Sequence, residues 1–212
     1  LPRAPAWGGV NPPLFPPPPM DPIALFRARF GDQMYIVQFQ NPGNEPDRIF
    51  AEHVDNMFEC FMRRPLAQPL PPSDGAASGI GASPAANLAF PQIVQAYDPN
   101  TDPRERILSP EEKKVFVETF SRTGFTGGIN WYRNFTRNWK NSETLDHTIR
   151  VPSLMIMAEL DRVLPPSATE GMEKLIPDLE KYLVRGSGHW TQQEKPEEVS
   201  NKLIEWRSKR FG

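Results

Sequence analysis

Cysteine is almost missing from this sequence: Cys60 stands alone, so no disulfide framework and no thiolate metal site can form within the chain. Its setting in FECFM, on the apolar side of a helical pattern, predicts a buried thiol. Histidine is scarce too, and His53, His147 and His189 share no close spacing that would support a metal site. No apolar run approaches the roughly 18 to 20 residues of a membrane span, and the opening LPRAPAWGG lacks the charged and apolar zones of a secretion signal. Neither sign of charge dominates. The 24 Lys and Arg are mixed with 26 Asp and Glu, leaving no basic stripe for nucleic acid and no charged block for a membrane surface. The expectation is a soluble, cytoplasmic protein with no nucleic-acid or membrane partner and no cofactor.

Proline, by contrast, is abundant and unevenly placed. Nine of the 25 prolines fall in the first 22 residues, which therefore read as a semi-rigid connector and not as a helix or a central strand. With 212 residues and 38% apolar content, the chain can bury one sizeable core or parts of two.

Beyond Pro22 the pattern is mainly helical as far as Ile149. IALFRARFG reads as a helix, whereas MYIVQFQNPG, residues 34–43, is β-prone and closes in a turn. EPDRIFAEHVDNMFECFMRR sets Phe50, Val54, Met57, Phe58 and Phe61 on one face of a single amphipathic helix. Residues 65–87 read as a loop, and their GAASGIGAS lacks the strand and helix that a dinucleotide-binding glycine motif requires. Ser109, Pro110 and Glu112 form a capping-box start for a helix ended by Gly124. GGINWYRNFTRNWKN opens a further helix in which Tyr132, Phe135 and Trp139 share a face.

From residue 151 strands alternate with helices. Val151 to Met157 reads as a buried strand that leads to Asp161 in the turn beyond its carboxyl end, where α/β sheets carry their chemistry. A second strand, Leu179 to Val184, leads into GSGHW and His189. Neighbouring parallel strands would then set a carboxylate beside an imidazole, which makes a general base. The last helix, about Pro196 to Lys209, is expected to bury Val199, Leu203 and Trp206.

Four pieces in order, YIVQFQNPG, GFTGGINWYRN, the strand ending AELD, and GSGHWTQQEKPEEV, resemble the epoxide hydrolases of the α/β-hydrolase superfamily. The resemblance spans nearly all of residues 22–208 and implies a connector at 1–22, a helical lid at 23–149, and at 150–212 the carboxyl-terminal part of an α/β-hydrolase core. In that family an aspartate opens the epoxide to a covalent ester, and a His paired with an acid activates the water that cleaves it. The resemblance assigns the acid to Asp161, the base to His189, and the two lid phenols that hold the epoxide oxygen to Tyr35 and Tyr132.

The family's nucleophile turn and its HG-type oxyanion loop occur nowhere in these residues. The nucleophile is therefore expected from an upstream segment, in the same or a separate chain, acting with water on a small apolar epoxide. Two alternatives stand beside this reading. One is a haloalkane or haloacid dehalogenase of the same fold, with Trp131 as a substrate-binding halide donor; the other is a non-catalytic fragment.

Overall fold

A computed structural model describes residues 5–66 and 88–212. The expected loop at 65–87, with its glycine-rich stretch, lies outside these except for residues 65 and 66. The chain divides into two compact units, one made of residues 1–16 with 145–212 and the other of residues 17–144.

The first unit is built on a parallel sheet of three strands in the order β1 (Trp7–Val10), β2 (Ser153–Ala158), β3 (Leu179–Val184). All of β2 except the half-buried Met157 is buried, as a strand flanked on both edges and covered on both faces should be. Leu154 and Ile156 pack on one face with Val184, Val199 and Trp206, and Met155 packs on the other with Met172 and Ile176. The long helix α10 (Pro196–Phe211) follows the short α9 (Thr191–Glu194).

β1 corrects the reading of residues 1–22 as a connector throughout. WGGV is a proline-free window between Pro5 and Pro12, so its amides are available to a ladder. Trp7 N–H donates to the Pro152 carbonyl at 3.1 Å, and Asn11 N–H to that of Ile156 at 2.9 Å. Gly9 lets neighbouring side chains approach its backbone, because a Cβ there would lie 2.7 Å from the Trp7 ring and 3.3 Å from the Met155 sulfur. The last helix also differs from expectation: Val199 and Trp206 are buried, but Leu203 is 42% exposed. The neighbouring Lys202 instead lays its stem along the sheet, with its ammonium 2.8 Å from Glu180 and over the Tyr182 ring.

The second unit is helical among the described residues: α1 (Pro22–Phe30), α2 (Tyr35–Gln38), α3 (Glu45–Glu52), α4 (Val54–Phe61), α5 (Phe90–Ala96), α6 (Pro110–Thr123), α7 (Thr126–Arg133) and α8 (Phe135–Ser142). Its core joins Ile36, Val37, Phe39, Phe50, Val94, Phe125 and Ile129. The capping box at Ser109 and Glu112 is formed, and Gly124 closes α6 at φ +69°.

Three local expectations change here. Residues 35–38 are helical and all buried, Gln38 included, and so short a buried run carries no period that separates a strand from a buried helical turn. The helix expected over 45–64 breaks at His53, whose φ −123°, ψ 38° leaves the helical region; Phe50, Val54, Met57, Phe58 and Phe61 nonetheless all join the core. The helix around Tyr132 divides at Asn134, whose side-chain amide donates to the Asn130 carbonyl at 2.8 Å in competition with the backbone. Among the described residues, no helix is long and apolar enough to cross a membrane.

Candidate active site

Two chemical pairs emerge, one in each unit. The first begins where β2 ends. Glu159 N–H donates to the Val184 carbonyl and Leu160 N–H to that of Ser187, at 3.0 and 2.8 Å, so the turn after β2 is laced to the turn after β3. That lacing brings Asp161 and His189 together: Nδ1 of His189 lies 2.9 Å from Oδ2 of Asp161.

The pair is asymmetric in its exposure. The Asp161 side chain is fully enclosed, whereas that of His189 is 40% exposed. A carboxylate oxygen only accepts, so Nδ1 carries the proton and the basic lone pair is left on Nε2. The carboxylate receives four donors, two on each oxygen. Val163 and Leu164 N–H reach Oδ1, each at 2.9 Å, while His189 and the Asn11 amide, the latter at 3.1 Å, reach Oδ2. Buried without such partners, a carboxylate would be strongly disfavoured.

The histidine turn is anchored as well. Glu194, buried at the end of α9, accepts Gly188 N–H on both carboxylate oxygens at 3.1 and 3.0 Å. Gly186 turns the chain at φ +63°, a conformation that glycine takes without a steric cost. Thr191 Oγ1 lies 2.9 Å from both the Gly188 carbonyl and Asn11 Oδ1, and its single proton is shared between them.

The second pair is Tyr35 and Tyr132. Their rings meet edge to face with centroids 5.5 Å apart, and Tyr35 stacks on Phe90 at 4.1 Å and nearly parallel. Tyr35 is buried, and that burial, reinforced by the Tyr132 hydroxyl with which it hydrogen-bonds, raises its phenol well above the ordinary range. It therefore remains a donor at neutral pH. Arg133 and Gln40 hold the two helices in register: Arg133 Nε donates to the Phe39 carbonyl at 2.9 Å, and Gln40 Nε2 to the carbonyls of Ile36 and Tyr132 at 2.9 and 3.2 Å.

The structure thus joins Tyr35 to Tyr132 and Asp161 to His189. It does not bring Trp131 to the phenols; that side chain is 76% exposed and stands outside the aromatic cluster around them. Sequence reasoning missed Asn11, Thr191 and Glu194. Only for Asn11 is there a signal, an asparagine that directly follows a proline-free window, and it has meaning only once WGGV is recognised as a strand.

A family model described as the alpha/beta hydrolase fold matches residues 29–196. The chain belongs to the α/β-hydrolase fold family. Among curated relatives, it is 35% identical over 208 residues to bifunctional epoxide hydrolase 2 of Mus musculus, covering 96% of this chain and 35% of that protein. It is 34% identical over 212 residues to epoxide hydrolase A of Mycobacterium tuberculosis, covering 96% of this chain and 61% of that protein. Among solved structures, epoxide hydrolase A of Mycobacterium thermoresistibile superposes with a TM-score of 0.76 at 31% identity, over 96% of this chain and 61% of the other. Epoxide hydrolase I of potato gives 0.73 at 26% identity, over 98% and 63%. This α/β-hydrolase chain therefore spans between about a third and just over three fifths of the length of these proteins.

Proposed function

We propose that this chain supplies the lid and the acid–base part of an epoxide hydrolase that converts small apolar epoxides to vicinal diols. In this reading the helical unit is the lid, and an aspartate outside these 212 residues is the nucleophile. The nucleophile's carboxylate attacks an epoxide carbon, the carbon–oxygen bond breaks, and an ester forms. As the ring opens, negative charge develops on the epoxide oxygen, and Tyr35 and Tyr132 donate to it as an oxyanion hole does. The phenyl rings of Phe39 and Phe90 against Tyr35 suit an apolar substrate.

His189 acts in the second step. Nε2 takes a proton from water, the water oxygen attacks the ester carbonyl, and the bond to the diol oxygen breaks. The imidazolium proton passes to that leaving oxygen, the proton still on the attacking water oxygen passes to the alkoxide left by ring opening, and the diol departs with the nucleophile's carboxylate restored. Asp161 holds Nδ1–H throughout and stabilises the imidazolium. The observation that carries the reading is the 2.9 Å contact between His189 and a fully enclosed carboxylate, in a chain whose relatives are named epoxide hydrolases.

A dehalogenase is less favoured. Departing halide needs no pair of phenols, and the candidate halide donor Trp131 is turned to solvent. The test is to incubate the full-length protein with an aryl epoxide and a matched haloalkane, then quantify diol and halide. Diol formation supports the proposal; halide release with no diol overturns it, as does the absence of both.

A further inference from the structure

Asn11 is built into the Asp161–His189 pair more closely than a strand-end residue needs to be. It sits just beyond β1, buried to 4% exposure, in the left-handed region at φ +66°. Asparagine tolerates that conformation better than most side chains, but glycine would serve the backbone alone. What glycine would not supply is the amide. Its nitrogen donates to Oδ2 of Asp161 at 3.1 Å and to the carbonyl of His189 at 2.7 Å, and its oxygen accepts from Thr191 at 2.9 Å.

Both N–H groups and the carbonyl of this one side chain are thus used, and each partner is the acid, the backbone of the base, or the residue that follows the base by two. Asp161 is 150 positions away in the chain and His189 is 178. No neighbouring residue could replace such a clamp through local structure.

The chemistry of the amide is specific. A hydrocarbon of the same shape would leave Oδ2 with His189 as its sole donor, and a carboxylate would face Asp161 with a second negative charge. Only a group carrying two donors and an acceptor satisfies all three contacts. With Asn11 in place, Oδ2 has one donor that never leaves, so the carboxylate keeps its orientation while Nδ1–H shifts with the changing charge of the ring. The second donation, to the His189 carbonyl, fixes the backbone from which the ring projects.

We infer that Asn11 is a positioning residue that locks the orientation of Asp161 and of the His189 backbone, and so governs the ester-hydrolysis step without touching the substrate. The inference rests on the epoxide-hydrolase reading for the step it names. Rapid quench of the full-length protein with an aryl epoxide, followed by intact-mass analysis, separates ester formation from ester decay. In Asn11→Gly, which keeps the backbone conformation, formation is expected within about 2-fold of wild type and decay about 10- to 100-fold slower. In Asn11→Asp, the added negative charge is expected to move the acid limb of the decay step to higher pH.

Equal slowing of both steps, or decay at the wild-type rate in a folded Asn11→Gly, overturns the inference. Should Asn11→Gly fail to fold, Thr191→Val, which frees the amide from its other side, is expected to slow decay about 3- to 10-fold, and no slowing there overturns it. If wild type forms no ester, the hydrolase reading fails first, and the Nδ1 proton resonance of His189 decides separately. Faster solvent exchange of that proton in Asn11→Gly supports the clamp, and unchanged exchange overturns it.

Discussion

Replacing Arg133 with Met tests how the helical unit holds its two phenols. Arg133 sits beside Tyr132 and makes contacts across elements, with Nη2 2.6 Å and Nη1 3.3 Å from the Asp47 carboxylate and Nε donating to the Phe39 carbonyl, while Nη1 also reaches Asn130 within its own helix. The Arg133 and Asp47 side chains are only 21% and 11% exposed. Removing one partner of a buried ion pair costs about 3 to 5 kcal/mol, and the remaining exposure of Arg133 puts the expectation at the low end, about 3 kcal/mol. The comparison is Arg27→Gln, whose pair with Asp32 is 50% and 78% exposed and is expected to contribute under about 0.5 kcal/mol.

The assay is urea unfolding of wild type, Arg133→Met, Asp47→Asn and the double variant, which isolates the coupling between the two residues. Burial on its own would raise the Asp47 carboxyl, but hydrogen bonds from Arg133 and Thr126 and the guanidinium charge outweigh it, so its pKa is lowered in the fold. A lowered folded pKa gives stability that is complete above the unfolded value, about 4, and fades as pH falls through the folded one. The Arg133→Met penalty is therefore expected in full at pH 7 and to shrink below about pH 4. A penalty as small as that of Arg27→Gln, with no coupling to Asp47, would refute this account of what sets the register of α7 on α2.

The other predictions concern the phenols and the thiol. Converting both Tyr35 and Tyr132 to Phe is expected to slow ester formation by about 100-fold or more, measured by rapid quench, and unchanged turnover would remove both from the mechanism. With Tyr132→Phe alone, the remaining ring-opening activity should not fall with a midpoint near pH 10, because burial keeps the Tyr35 phenol protonated beyond the usual range. Cys60 has no exposed surface, and its burial pushes the thiol up to about 11. A thiol reagent at pH 8 is expected to modify it at least about 100-fold more slowly in the native protein than in urea, and equal rates would contradict that environment.

What the sequence made legible was what short-range pattern encodes. The strand leading to Asp161 announces itself as an apolar run that ends in a turn, and Leu179–Val184, the strand leading to His189 through a glycine turn, holds at both ends. The capping box at Ser109 is likewise local chemistry. What escaped depends on tertiary partners. WGGV pairs only because β2 offers it an edge; Tyr35–Gln38 is helical because it is enclosed on all sides; and Leu203 gives up its place against the sheet to the stem of Lys202. Asn11 is the clearest case, since its meaning lies wholly in partners 150 and more positions away.

The most direct test of the central claim, that His189 backed by Asp161 is the base for ester cleavage, is intact-mass spectrometry of full-length His189→Gln after exposure to an aryl epoxide. The account predicts that the variant keeps ring opening and accumulates the covalent ester, seen as a stable mass increase of one substrate per protein, while diol release falls by about 100-fold or more. Diol release at the wild-type rate with no accumulated adduct would contradict it.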